Sequence, residues 1–172
     1  SHLSNKYCRT AQGKMIWRYH SAATQSAARR SFFDGAFLMY LLDTNVVSEL
    51  RKTRPHGAVP AWLGRVPEAD VYISAVTLGE IQRGIEITRD TNPAKALEIT
   101  LWADRLASTR SILPMDAVIF RRWAGLMHHQ SDALFEDAMI AATALVHRLT
   151  VVTRNTRDFA NFGVPLLDPF AV

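Results

Sequence analysis

The chain has 172 residues, of which 48% are hydrophobic and 21% charged, a composition ordinary for a soluble globular protein with a sizeable core. Its formal charge of +4 is unevenly distributed. Six basic side chains against one acid give residues 1–38 a charge of +5, which leaves −1 for residues 39–172. The high pI is therefore no sign of a basic nucleic-acid-binding surface on the main part of the chain.

Cysteine content and hydropathy exclude further classes. The only cysteine, Cys8, lies near the N-terminus, so residues 39–172 have neither a disulfide framework nor a thiolate metal site, as expected in a reducing cytosol. The longest apolar stretch near the N-terminus, residues 36–42, is far shorter than the roughly 20 residues of a membrane-spanning helix. No signal-peptide cleavage pattern follows it. We therefore expect a cytoplasmic protein with no membrane partner.

Residues 1–38 differ in character from the rest of the chain. They are rich in Ser, Ala, Thr and Gln and are only weakly patterned. We expect a basic leader over residues 1–38, either a tag or upstream-translated sequence, with an arm that docks on the domain or a partner as the alternative. Met39 stands directly before the first strand pattern, so the folded domain is expected over residues 39–172.

From Met39 onward, apolar runs of strand length alternate with helical patterns. Strands are predicted at residues 40–42, 70–75, 112–114, 150–153 and 164–167. Helices are predicted after residue 43 and at residues 60–65, 76–88, 94–107, 116–129 and 135–148. The alternation predicts an α/β fold with crossover connections. Pro114 places the third strand at a sheet edge, because proline cannot serve a central ladder.

Four polar residues stand at a strand end or in the first turns of a following helix: Asp43, Glu80, Asp137 and Asn155. Because the carboxyl ends of parallel strands meet at one edge of a sheet, we expect these side chains to gather there. Carboxylates without a basic residue between them repel one another, and a hard divalent cation with oxygen ligands is the usual resolution. Mg²⁺ or Mn²⁺ is the natural ion, and it suits phosphoryl chemistry.

The three acids also have purely structural interpretations. Asp43 suits the N-cap of the following helix, and Glu80 completes a capping box that begins at Thr77. Asp137 suits a helix N-terminus through the helix dipole. Their joint location at one expected edge is what favours the metal site.

Other side chains give weaker signals. Trp62, Trp102 and Trp123 stand among aliphatic residues at helical spacing and are interpreted as core or dimer-interface residues, with base stacking as the alternative. The arginines considered as phosphate contacts are Arg83, Arg121, Arg122, Arg154 and Arg157, although solvation is the expected role of most of them. The sequence contains no Gly-rich phosphate loop.

Four sequence blocks, in this order, resemble the PIN domain, and more narrowly the VapC and FitB toxins of bacterial toxin–antitoxin modules. They are LLDTNVVSE at residues 41–49, ISAVTLGEI at 73–81, FEDAMIAAT at 135–143 and VTRNTRDF at 152–159. The likeness extends from Met39 to about Phe170 and gives the leader no counterpart. It implies a three-layer α/β/α sandwich with a central, mainly parallel sheet, a homodimer, and an Mg²⁺- or Mn²⁺-dependent ribonuclease.

The resemblance also implies roles for the candidate site residues. Asp43, Glu80 and Asp137 match the family's acidic triad. Asn155 stands where many relatives have a fourth acid, whereas others carry asparagine with an aspartate three residues on, as Asp158 stands here. Both residues also suit a turn or a solvated surface.

Four further positions match the family as supporting residues. Thr44, Asn45 and Thr153 match polar positions that support the acids or contact the metal and the scissile phosphate. Asp116 matches a recurrent aspartate, and we expect it to cap a helix.

In such modules a cognate antitoxin holds the toxin. The resemblance thus implies an RNA substrate (tRNA, rRNA or mRNA), a cognate antitoxin, and contact with DNA only indirectly through that antitoxin. The expected reaction is in-line hydrolysis of an RNA phosphodiester, leaving a 5′-phosphate and a 3′-hydroxyl. Two rivals stay open: a phosphatase or phosphoacceptor with Asp43 as nucleophile, and a catalytically weakened metal-binding module that acts through partner docking.

Overall fold

The structure, a computed structural model, describes residues 7–9, 15–17 and 39–171. The chain divides into two compact units, Ser1–Phe37 and Leu38–Val172. In the first unit, strand β1 (Tyr7–Arg9) pairs antiparallel with β2 (Met15–Trp17), a hairpin that the sequence patterns did not predict. The rest of the predicted leader lies outside the described residues.

The second unit contains one five-stranded sheet. Its strands are β3 (Tyr40–Leu42), β4 (Val71–Ser74), β5 (Ser111–Leu113), β6 (Thr150–Val152) and β7 (Leu166–Leu167). They lie in the order β5-β4-β3-β6-β7, and every neighbouring pair is parallel. All five predicted strands are confirmed, and β5 lies at an edge as Pro114 indicated.

Seven α-helices accompany this sheet in the described part of the chain. They are α1 (Thr44–Leu50), α2 (Ala58–Leu63), α3 (Ala75–Thr91), α4 (Pro93–Thr109), α5 (Ala117–Leu126), α6 (Phe135–His147) and α7 (Thr156–Phe159). Asn92 separates α3 from α4 and caps α4, since its Oδ1 accepts a hydrogen bond from the Lys95 amide at 3.0 Å. The helices and the sheet form the predicted three-layer α/β/α fold. No helix in the described ranges has both the length and the apolar character that crossing a bilayer requires.

The core lies on both faces of the central strands. Leu41 in β3 and Val151 in β6 are fully buried, which accounts for the unbroken apolar runs of these strands. Trp62 of α2 is also buried and makes an edge-to-face contact with Tyr40, with ring centroids 5.1 Å apart. Trp62 is therefore a core residue, one of the two roles that the sequence predicted for it.

The strand order creates a topological switch point next to β3. From β3 the chain proceeds through β4 to β5 on one side, and then returns to β6 and β7 on the other side. Ligands of open parallel sheets bind in the crevice outside the carboxyl ends of the strands at such a point. Asp43 directly follows β3 and Thr153 directly follows β6, so both residues stand at this crevice.

Candidate active site at the carboxyl edge of the sheet

Asp43 is the most enclosed carboxylate at this edge, with only 4% of its surface exposed. Its Oδ1 accepts a hydrogen bond from the Thr44 amide at 2.6 Å, so Asp43 is the N-cap of α1, as its structural interpretation predicted. Its Oδ2 accepts from the Thr153 hydroxyl at 2.7 Å and from the Asn45 side-chain amide. Asp43 thus caps a helix and also joins the ends of β3 and β6.

Thr153 and Asn45 extend this network. The Thr153 hydroxyl has one proton, which it donates to Asp43, and its oxygen accepts from Asn45 Nδ2 at 3.0 Å and from the Asn155 amide at 2.9 Å. Asn45 Oδ1 accepts from the Arg154 amide at 3.2 Å. These bonds hold the segment after β6 against the start of α1.

Glu80 approaches the same edge from α3. The predicted capping box from Thr77 to Glu80 is wrong, because helix α3 begins earlier, at Ala75. Strand β4 ends at Ser74, and the Ser74 hydroxyl caps the helix by accepting a hydrogen bond from the Val76 amide at 3.2 Å. Thr77 is instead fully buried inside the helix. Thr44 Oγ1 lies 3.2 Å from the Thr77 hydroxyl oxygen and 2.5 Å from Glu80 Oε2, to which it donates its proton.

Asp137 lies in the first turn of α6 and is partly buried. The pKa of its carboxyl is raised to about 7. Burial is the largest cause, and the negative charges of Asp43, Asp158, Glu80 and the adjacent Glu136 contribute the rest, in that order. The helix dipole would favour an anion at this position. Desolvation and carboxylate repulsion outweigh that stabilisation here.

The pKa values of the other two acids are raised for related reasons. Burial raises the pKa of Asp43, the hydrogen bonds from Thr153 and Thr44 partly counteract it, and the charge of Asp158 adds to it. Burial also raises the pKa of Glu80, against the hydrogen bond from Thr44, and the charge of Asp43 adds to that increase. Within the expected triad, the charge of Asp43 thus raises the pKa of Glu80 and of Asp137, and the charge of Glu80 raises that of Asp137.

The surrounding cations do not neutralise these acids. Within the described ranges, Asp43, Glu80 and Asp137 form no ion pair with a basic side chain. The charge of Arg83 lowers the pKa of Glu80, and Arg83 Nη1 lies 3.9 Å from a carboxylate oxygen of Glu136. Glu136 was not among the sequence candidates, although its position next to Asp137 was the available signal.

The remaining candidates divide between the site and the scaffold. Asp158 acts on Asp43 and Asp137 through its charge, whereas Asn155 is exposed and contributes its backbone amide to Thr153. Asp116 does not act on the acids of this edge. Its Oδ1 accepts from the Ile119 amide at 2.9 Å, so it caps α5.

The donors at this edge suit a hard divalent cation in chemistry. In the described part of the chain no three His, Cys, Asp or Glu side chains converge closely enough to coordinate one ion together. Mg²⁺ does not require three, because it is commonly bound by one or two carboxylates and keeps several waters. Among the described residues, Asp43 Oδ1 accepts one hydrogen bond, which leaves this oxygen with a further acceptor site there.

A parallel α/β sandwich with mutually repelling carboxylates at its switch point defines a class of proteins with an acidic, oxygen-donor site. The PIN-domain family model matches residues 40–164, and the chain belongs to this family. The predicted resemblance is confirmed.

Two curated proteins are similar to this chain over almost their whole length. Toxin FitB of Neisseria gonorrhoeae is 34% identical over 143 residues, which cover 77% of this chain and 99% of that protein. A VapC ribonuclease of Sinorhizobium fredii is 33% identical over 137 residues, covering 77% of this chain and 98% of that protein.

Two solved structures are similar to this chain in fold and in sequence. The crystal structure of FitAcB from Neisseria gonorrhoeae has a TM-score of 0.65 and 33% identity, and the match covers 78% of this chain and 100% of that chain. A toxin–antitoxin complex from Klebsiella pneumoniae has a TM-score of 0.58 and 30% identity, and covers 76% of this chain and 97% of that chain.

Proposed function

We propose that this protein is a divalent-metal-dependent ribonuclease toxin of a toxin–antitoxin module, which hydrolyses RNA phosphodiester bonds. The observation that carries the proposal is the group of acids at the switch point. The charge of Asp43 raises the pKa of Glu80 and of Asp137, and none of the three acids forms an ion pair in the described ranges. Such a group is stabilised by a cation. Relatives named as VapC ribonucleases support RNA as the substrate class.

Each residue of the edge has a distinct role in this proposal. Asp43 and Asp137 would hold Mg²⁺ or Mn²⁺, and Glu80 completes the site and orients the attacking water. When bound, the ion lowers the pKa of water and neutralises charge that develops on the phosphate. Thr44 keeps Glu80 directed towards this edge through its hydrogen bond, and Thr153 does the same for Asp43. Asp158, rather than the exposed Asn155, supports a second ion or the phosphate.

The proposal includes a cognate antitoxin and a homodimer as partners. Apolar side chains are exposed on α3 and α4, where Ile87, Leu97 and Leu101 are each about 60% exposed. Exposed apolar surface of this kind favours association with another chain. Similar solved structures include FitAcB of Neisseria gonorrhoeae and a toxin–antitoxin complex of Klebsiella pneumoniae. The second of these supports an antitoxin as one partner. Contact with DNA would come through the antitoxin.

The decisive experiment is RNA cleavage by the purified full chain with Mn²⁺ or Mg²⁺. Total tRNA and rRNA serve as substrates, and the product ends are mapped for 5′-phosphate and 3′-hydroxyl groups. We expect Asp43→Asn and Asp137→Asn to reduce cleavage on the order of 100-fold or more, because each removes an ion ligand.

Asp104→Asn is the matched control, since Asp104 is an exposed acid on α4 outside the acidic edge. It should cleave RNA like the unmodified protein. Cleavage that is independent of divalent ions, or equal in all three variants, would contradict the assignment.

Light scattering of the same samples measures whether the protein is a dimer.

A further inference from the structure

The backbone of Arg154 lies at the acidic edge, and the function proposed above assigns no role to this residue. It follows Thr153 directly, and its backbone amide donates to Asn45 Oδ1 at 3.2 Å, while the Asn45 side chain also donates to Asp43. Its backbone is therefore fixed two hydrogen bonds away from the carboxylate of Asp43. The side chain itself is exposed.

The guanidinium group of Arg154 is held by an aromatic ring near the C-terminus. Its central carbon lies 5.1 Å from the centroid of the Phe170 ring, a cation–π arrangement. Such a contact orients a guanidinium without neutralising it, so its N–H groups stay available to a phosphate. Arg154 forms no ion pair with an acid in the described ranges.

Phe170 is itself anchored on several sides. Its amide donates to Asp168 Oδ1 at 2.9 Å, and its ring packs against the core and lies 5.4 Å from the ring of His56. The amide of His56 in turn donates at 2.7 Å to the buried Glu49 of α1. The segment around Phe170 thus provides a fixed platform for the side chain of Arg154.

An acidic edge repels the phosphodiester backbone that it is proposed to cut, so an oriented cation whose backbone is bonded at that edge has a clear electrostatic role. We propose that Arg154, stacked on Phe170, is the positioning residue that binds an RNA backbone phosphate at the entrance of the site. This inference rests on the proposed function and adds a specific contact to it. Arginine binds phosphate through paired N–H groups, which lysine cannot reproduce.

The test separates RNA binding from cleavage. Binding of a fluorescein-labelled, random-sequence single-stranded RNA is measured in EDTA over a range of salt concentrations, so that no cleavage occurs. We expect Arg154→Ala to bind about tenfold more weakly. The slope of log K against log salt should decrease by about 0.7, the value for one lost phosphate contact on a single strand. Arg154→Lys should retain the slope and recover only part of the affinity.

Arg105→Ala is the matched control. Arg105 is an exposed arginine near the end of α4, and since α4 ends at Thr109 just before β5 begins, it lies towards the amino ends of the strands. Its replacement should leave affinity and slope unchanged. Arg154→Ala binding that matches the unmodified protein, or a loss equal to that of Arg105→Ala, would overturn the inference.

Phe170→Leu tests the platform while keeping an apolar side chain in place. We expect a smaller loss of binding than for Arg154→Ala, and no additional loss when both substitutions are combined, because they remove the same contact. Additive losses would overturn the role of Phe170. Thermal unfolding of every variant verifies folding. If the unmodified protein binds RNA through Arg154 but cleaves none with Mn²⁺, the ribonuclease proposal fails while this contact stands.

Discussion

The Thr153 hydroxyl donates to Asp43 Oδ2 over 2.7 Å, although 110 residues separate the two in the chain. The bond joins the carboxyl ends of β3 and β6, which are neighbours on either side of the switch point. It also lowers the pKa of the Asp43 carboxyl, against the larger effect of burial. Thr153 therefore acts on both the geometry and the charge of the acidic edge.

Replacing Thr153 with valine should affect stability and ionisation together. The change removes a donor from Asp43 and an acceptor from Asn45 Nδ2 and the Asn155 amide in a buried position. We expect the free energy of unfolding to fall by about 1–3 kcal/mol, as measured by urea denaturation. The pKa of Asp43 should rise further, as measured by carboxyl NMR titration. Thr153→Ser retains the hydroxyl and should preserve that pKa; a valine variant with an unchanged pKa would show that the bond is unimportant.

The raised pKa of Asp137 predicts a pH-dependent ion affinity. A proton on this carboxyl competes with a cation, and its pKa is about 7 in the metal-free protein. Calorimetric titration with Mn²⁺ should show affinity falling about tenfold for each pH unit below about 7. Asp137→Asn should weaken binding at high pH and flatten this dependence. A steep dependence that survives in Asp137→Asn would assign the proton to another group.

The same shift predicts how pH changes the stability of the metal-free protein. The folded-state pKa of Asp137 lies above its ordinary value of 3.8, so the folded protein binds this proton more tightly than the unfolded chain. The stability that this bound proton contributes to the folded state is fully present below about pH 4 and is lost as the pH rises towards 7. Asp137→Asn should remove the loss, a gain on the order of 1–2 kcal/mol at pH 7 after allowance for solvent screening. Urea denaturation of both proteins in EDTA measures it, and equal pH profiles would contradict the prediction.

Asp158 and Asn155 can be distinguished by substitution. The charge of Asp158 raises the pKa of Asp137, whereas the exposed Asn155 acts through its backbone amide. We expect Asp158→Asn to lower the pKa of Asp137 and to shift the pH dependence of Mn²⁺ binding to lower pH. Asn155→Ala should leave that curve in place. The reverse pattern would assign the supporting role to Asn155.

Asp116 should behave as a scaffold residue. Its side chain caps α5 through the Ile119 amide. Asp116→Ala should lower the free energy of unfolding by about 1 kcal/mol, the usual effect of losing an N-cap. RNA cleavage per folded molecule should not change. Asp116→Asn keeps a capping oxygen and should recover most of the stability; a large loss of cleavage in either variant would place Asp116 in the site instead.

The sequence was sufficient to predict the five strands of the parallel sheet and the polar side chains that follow them. The β1–β2 pair and helix α7 were not predicted. The strand patterns at Tyr40–Leu42 and Thr150–Val152 depend on local apolar runs, which local periodicity reveals. The break at Asn92 likewise follows from its neighbour Pro93, which suits the first turn of a helix. Helix starts were less certain, because Ser74 and Thr77 are both acceptable N-caps and only the end of β4 selects Ser74.

The contacts that define the site depended on the tertiary structure. Thr44 meets Glu80 across 36 residues, Thr153 meets Asp43 across 110, and Arg154 stacks on Phe170 from a different segment. The chain by itself determined which side chains stand at the ends of strands, because that follows from local pattern. Which of those ends become neighbours was decided by the order of strands in the sheet. That order reflects burial summed over the whole core, and no single segment carries it.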